Sequence, residues 1–221
     1  MSESPRIFVV HALAASLSPV TQAFSNGWPK AQVCNLMDDA LSRDRQTGRY
    51  AEDVFERRFS NLIQYCLTSE AEGILFACSA FNGAIDSARR GIHVPVLKPD
   101  EAMIAQALEM GDSFAVVATF EPSIESLRSQ IEFEAGHRGK TVRVEGVFVE
   151  DAMRALNDGD GMRHDALVAR AVSAVPEVDA VLLAQFSMAR AAPAALSRSP
   201  SPLLTSPESA VARLRSLVTH A

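Results

Sequence analysis

One stretch, residues 72–83, constrains this chain more than any other, because its pattern occurs twice. The first copy reads Glu72-Gly73-Ile74-Leu75-Phe76-Ala77-Cys78-Ser79-Ala80-Phe81-Asn82-Gly83. It is an apolar run of strand length that turns polar at Cys78-Ser79 and leads into a helical segment over 84–90. The second copy, Val178-Asp179-Ala180-Val181-Leu182-Leu183-Ala184-Gln185-Phe186-Ser187-Met188, keeps the pattern at an offset of 107 residues and sets Gln185 against Cys78. The same offset lays Val9-Val10 on Val116-Val117, Ser16 on Ser123, Pro95-Val96-Leu97 on Pro202-Leu203-Leu204, and Glu101 on Glu208. Strands, turns and helix starts agree together, so the chain reads as an internal duplication of roughly half its length. The offset divides it into a first α/β lobe, residues 1–97 with 205–221, and a second, 98–204.

Apolar runs of strand length alternate with helical periodicity in both halves. Ile7-Phe8-Val9-Val10 has the continuous apolar character of a buried parallel strand. Ser18-Pro19 then reads as a helix start and Asn26-Gly27 as its stop. Residues 31–36 form a second strand, and 38–48 a mixed-charge stretch that reads as a solvated loop or a lid. A helix over 51–67 carries Phe55, Phe59, Leu62, Ile63 and Cys66 on one face, which makes Cys66 a packing residue. A short strand at 93–97 and a helix from Glu101 to Met110, capped by Asp100, close the first half. The second half repeats the order with strands at 114–118, 141–149 and 180–183, helices over 121–135 and 163–174, and a last short strand at Leu203-Leu204. Strands alternating with helices predict parallel sheets built from right-handed βαβ units. The fold class is α/β: two pseudo-symmetric Rossmann-like lobes, each with a roughly four-stranded parallel sheet flanked by helices, and an active site between them.

Composition excludes several classes. The 221 residues are 48% hydrophobic and 22% charged, ordinary for a globular chain. The net charge of −6 and the lack of a basic, aromatic-rich patch argue against nucleic acid as a partner. No apolar run approaches the ~20 residues that cross a bilayer, and the N-terminus lacks the regions of a signal peptide. Three cysteines without paired spacing argue against a disulfide framework, so a cytoplasmic, reduced protein is expected. No Cys/His cluster has metal-ligand spacing, and neither a GxGxxG nor a P-loop is present, so no metal or nucleotide cofactor is implied.

In open parallel sheets ligands bind where strands run out into helices. His11 and Ser16 flank the first such loop, and Cys78, Ser79 and Asn82 form the central one. Thr119 and Ser123, and Gln185 and Ser187, hold the matching places in the second half. Hydroxyls, backbone N–H groups and helix starts suit a carboxylate ligand. The Cys78 thiol is the group able to move a proton if its pKa is lowered. The plain alternative makes Cys78 a small buried hydrophobe and Ser16 a loop or cap hydroxyl.

The duplicated halves, the strand-end cysteine in Ala77-Cys78-Ser79-Ala80, the Ala118-Thr119 strand end and the counterpart Leu183-Ala184-Gln185 resemble the aspartate/glutamate/hydantoin racemase superfamily. The resemblance covers most of the chain. It implies cofactor-independent chemistry without pyridoxal phosphate or metal, a small carboxylate-bearing substrate, and a homodimer. In that family each half contributes a cysteine. One thiolate removes the α-proton and the other thiol delivers one to the opposite face, while hydroxyls and backbone N–H groups hold the carboxylate.

This chain departs from the pattern at one decisive place, because the second cysteine position holds Gln185. An amide has no accessible ionisation and cannot act as acid or base. The superfamily also includes arylmalonate decarboxylases, which use one cysteine, so three readings follow. The first is a racemase or isomerase acting next to a carboxylate, with Cys78 as acid/base. The second is a decarboxylase or other lyase with Cys78 as sole proton donor and Ser79, Thr119 and Ser16 holding the carboxylate and oxyanion. The third is a binding protein for small carboxylates without catalysis. The substrate-binding set expected under these readings is His11, Ser16, Ser79, Asn82, Thr119, Ser123, Gln185 and Ser187.

Overall fold

A computed structural model of the chain describes residues 4–220. Met1–Glu3, part of the stretch read against a leader peptide, lie outside them. The chain divides into two compact units: one runs to Pro99 and resumes at Ala210, and the other spans Asp100–Ser209.

In the first unit the order is β1 (Arg6–His11), α1 (Leu17–Gly27), β2 (Gln32–Met37), α2 (Ala40–Thr47), α3 (Glu52–Thr68), β3 (Gly73–Phe76), α4 (Asn82–Ala88) and β4 (Val96–Leu97). The second unit has α5 (Glu101–Met110), β5 (Ser113–Ala118), α6 (Pro122–His137), β6 (Arg143–Phe148), α7 (Ala152–Asn157), α8 (Gly161–Ser173), β7 (Ala180–Leu183), α9 (Ala192–Leu196) and β8 (Leu203–Thr205). The last helix, α10 (Ser206–Thr219), starts in the second unit and ends in the first. Each unit carries a four-stranded sheet, in the order β2-β1-β3-β4 and β6-β5-β7-β8, and every pairing is parallel. The α/β class expected from the sequence is the class observed.

The two sheets share their register as well as their order. Ile7 pairs with Gly73 and Phe114 with Ala180; Ile74 pairs with Val96 and Val181 with Leu203. Each of these correspondences keeps the 107-residue offset. Only the edge strand departs: Arg6 pairs with Gln32, but Ser113 with Arg143, four residues further on. A carboxylate closes the amino end of each central pair at the same place. Glu72 Oε1 accepts from Arg6 N at 3.0 Å, and Asp179 Oδ2 accepts from Ser113 N at 2.9 Å. Asp179 also takes Asp112 N and the Ser113 hydroxyl. These donors, the Ser113 N–H foremost, hold its pKa below the usual carboxylate value. Gly111 is required there, because a Cβ would stand 2.1 Å from Asp179 Cγ.

Burial follows the apolar runs. β1, β3, β5 and β7 are buried along almost their whole length, as expected for strands covered on both faces. Helix α3 buries Phe55, Phe59, Ile63 and Cys66 against β1 and β3, so Cys66 packs as expected. Its burial pushes the thiol pKa up to about 12.

Residues 38–48 are not a loop. They contain α2, two turns of helix ending on Gly48 at φ 60°. The segment has no apolar stripe, since only Leu41 is buried among its helical residues. Distant charges hold it: Arg58 of α3 donates to Asp38 at 2.9 Å and to Asp44 at 2.5 Å. The Asp38 carboxylate also accepts from Ala40 N at the start of the helix. The helix expected over 84–90 starts earlier, as a 3-10 turn (Ser79–Phe81) running into α4, and ends by Ala88. Only Val96 and Leu97 of the strand expected at 93–97 enter the sheet.

Candidate functional site

The candidate residues of the first unit lie at the carboxyl edge of β1 and β3. These strands are neighbours, and Ala77 N donates to Val10 O at 2.9 Å, carrying the pairing to the residue before Cys78. Cys78 is extended (φ −145°, ψ 114°) and opens the Ser79–Phe81 turn; Asn82 begins α4 directly afterwards. The thiol is half-buried and in no disulfide. Cys78, Ser79 and Asn82 therefore share one turn, as the sequence suggested.

Arg45 of α2 fixes that turn, and sequence reasoning did not find it. Its Nε and Nη2 donate to the Ala80 carbonyl at 3.2 and 2.9 Å, while Nη1 pairs with Glu52 at 2.6 Å. The guanidinium also lies 5.0 Å from the centre of the Phe55 ring and 5.3 Å from that of Phe81. One planar cation thus ties the middle of the cysteine turn to two helices, a task for which a lysine lacks the fork. The signal in the sequence was only a basic residue within a polar stretch, and nothing nearby marked its target 35 residues on.

His11 and Ser16 meet directly. His11 is fully buried, with Nδ1 2.6 Å from Ser16 Oγ and Nε2 3.0 Å from Asn35 Oδ1. Burial lowers the His11 pKa, with the Asn35 hydrogen bond working the other way, so the ring is neutral at neutral pH. Ser16 Oγ is also 2.8 Å from the Leu13 carbonyl. A serine hydroxyl has one proton to give. Here its acceptors, the imidazole and Leu13 O, are both internal, so Ser16 would face a ligand as an acceptor. Asn35 was missed in the sequence; a polar residue inside the β2 run was the available signal. The register pairs Val9 with Asn35, which sets that amide on the same face as His11.

In the second unit the structure joins Thr119, just past β5, to Gln185, just past β7. Gln185 Oε1 accepts from Thr119 N at 2.8 Å and from Thr119 Oγ1 at 3.1 Å. Thr119 is buried and Gln185 half-buried. Gln185 is extended (φ −136°, ψ 142°) and opens a 3-10 turn (Phe186–Ala191), as Cys78 opens its own. Ser123 lies in the first turn of α6, and Ser187 in the 3-10 turn. Among the described residues the hydroxyls of Ser79, Ser123 and Ser187 meet no hydrogen-bond partner within the chain, which leaves them to water or a ligand.

Residues 20–214 match the family model for Asp/Glu/Hydantoin racemase. The chain belongs to that family. Among curated proteins no sequence match is found. Solved racemases share the fold at low identity. A glutamate racemase from Bacillus anthracis is 13% identical with a TM-score of 0.71, over 99% of this chain and 83% of that one. An allantoin racemase from Klebsiella pneumoniae is 20% identical, TM-score 0.70, over 98% and 89%. The aspartate racemase of Picrophilus torridus is 13% identical, TM-score 0.69, over 98% and 95%. Among the described residues of this racemase-family chain, no helix is long and apolar enough to cross a membrane, and no group of His, Cys, Asp or Glu is placed to hold a metal ion.

Proposed function

We propose that this racemase-family protein moves a proton, without a cofactor, at a carbon next to a carboxylate, as an isomerase whose acid/base is the Cys78 thiol. The observation that carries the reading is the position of Cys78: half-buried, reduced, at the carboxyl edge of the central strand β3, on a turn tied down by Arg45. The Cys78 thiolate takes the α-proton, and the electron pair moves into the carboxylate to give an enediolate; the thiol returning a proton to the same face gives exchange with retention, and inversion takes a proton from water or His11 on the opposite face. The substrate-binding residues are His11, Ser16, Ser79 and Asn82 at the strand ends of the first unit and Thr119, Ser123, Gln185 and Ser187 at those of the second. Substrates are small carboxylates, as in the glutamate and aspartate racemases that share its fold. The protein works in the cytoplasm as a homodimer.

One observation favours a second reading. The position that would hold the other thiol is Gln185, which cannot ionise. A decarboxylase makes its carbanion by releasing carbon dioxide and needs one proton donor only, which Cys78 supplies.

Proton exchange in D2O tests both. Amino acids, hydantoins and aryl- or alkyl-malonates are incubated with the protein and followed by NMR beside Cys78→Ala. Deuterium at the α-carbon, lost in the variant, is expected; release of carbon dioxide selects the lyase. Exchange that survives in Cys78→Ala ends both readings.

A further inference from the structure

We infer that Gln185 is a fixed N–H donor to an anionic oxygen of the ligand, and that Thr119 sets its polarity. This rests on the reading that the strand ends of this fold bind a carboxylate substrate, and it names which atoms of the second unit receive it.

The orientation of a glutamine amide follows from its partners. A backbone N–H can only donate, so the atom facing Thr119 N at 2.8 Å is the carbonyl oxygen Oε1. The Thr119 hydroxyl, 3.1 Å from the same oxygen, donates there as well. With Oε1 taking both, Nε2 and its two N–H groups point away from Thr119, and among the described residues they meet no acceptor. Both bonds come from a residue that is 4% exposed, so little can swing the amide round. The donors therefore come preset, and their orientation needs no ordering when a ligand arrives.

Chemistry selects the ligand atom. Two N–H groups without an acceptor call for an oxygen with lone pairs, and the strongest acceptors are charged. A cysteine at this position can become a thiolate and repel a carboxylate; the amide stays neutral at every accessible pH. The amide therefore trades proton transfer for anion binding. A carboxylate of the bound substrate and the enediolate oxygen that forms during proton transfer share the required chemistry. A substrate with two carboxylates, of the malonate type, meets it best.

The test is titration of the 15N-labelled full chain with sodium malonate, and with malonamide as the uncharged counterpart. The Gln185 side-chain amide signal is identified by its loss in Gln185→Glu. That variant keeps an oxygen for Thr119 and removes the N–H donors. Malonate is expected to shift the Gln185 signal where malonamide does not, and Gln185→Glu to weaken malonate binding about tenfold or more, the loss of a hydrogen bond to a charged group. Gln185→Ala, which adds no charge, is expected to weaken it several-fold, and Thr119→Val by less. An unmoved Gln185 signal, equal affinity in Gln185→Ala, or no malonate binding by the wild type overturns the inference. The exchange assay keeps it separate from the proposed function. Weakened malonate binding in the Gln185 variants beside exchange that ignores Cys78→Ala leaves the inference standing and removes the acid/base role. The opposite pair of results does the reverse.

Discussion

The helix-covered face that β1 and β3 share with α3 is aromatic, and the equivalent face of β5 and β7 under α8 is aliphatic. At the 107-residue offset Phe8 becomes Ala115, Phe76 becomes Leu183 and Phe81 becomes Met188, and each of these residues is buried in its own core. The first unit sets Phe59 at a tilt against Phe76 and Phe81, with ring centres 5.1 Å apart in both pairs. The second fills the space with Val168, Val172 and Met188, and Ala152 of α7 joins its core as Leu41 of α2 joins the first. Register is retained while volume is redistributed, because parallel strands buried on both faces ask for apolar side chains of the right total size rather than particular ones. Polar residues at the carboxyl edge diverge more sharply. Cys78 corresponds to Gln185 at the offset, Thr119 stands where the first unit has Ala12, and His11 where the second has Ala118. One unit carries a thiol and a buried imidazole network. The other has an amide held by a threonine.

Replacing Cys78 by Ala should break this division of labour most completely. Deuterium incorporation should fall about a thousandfold or more, since a positioned acid/base contributes on the order of 10²–10⁴ and no other thiol is at that edge. Gln185→Cys should blur it: a second thiol is expected to raise the rate at which label enters with inverted configuration, read by chiral chromatography of the exchanged product. The packing contrast is tested by denaturation. Phe76→Ala should cost ~3–5 kcal/mol and Leu183→Ala ~2–5 kcal/mol, with the larger loss where the rings interlock. Arg45→Met should slow both turnover and iodoacetamide labelling of Cys78 roughly tenfold through a loosened turn, and Arg45→Lys should restore little of either.

The smallest effect is alkaline. Cys66 ionises at about 12 in the folded chain against 9.0 unperturbed. The unfolded chain loses this proton first, so the contribution is intact below pH 9 and declines as pH rises from there toward 12. Denaturation midpoints measured between pH 8 and 10.5 should fall, and Cys66→Ala should flatten that decline.

Much of this was legible because it is local and apolar. The runs at 7–10, 73–76 and 180–183 needed no tertiary information, and the offset carried their pairing into the second unit. What escaped was polar and distant. Helix α2 has no hydrophobic stripe to betray it, and its restraint is Arg58, 14 and 20 residues away from Asp44 and Asp38. The His11–Asn35 contact spans 24 residues and exists only because β1 and β2 pair in one register. The Thr119–Gln185 bond spans 66. Both members of that pair were recognised as strand-end residues, but their union, and hence the polarity of the amide, depends on side-chain directions that one-dimensional patterns do not carry.

The split course of the first unit fixes a timetable for its birth. Its strands leave the ribosome early, but Gly73 at the start of β3 is packed by Leu214 and Val218 of α10, each within 3.2 Å of where a Cβ would be. Those residues emerge only after the whole of Asp100–Ser209 has been made. During synthesis the second unit is thus complete in sequence while the cysteine-bearing one still waits, one face of its central strand uncovered, for helix α10.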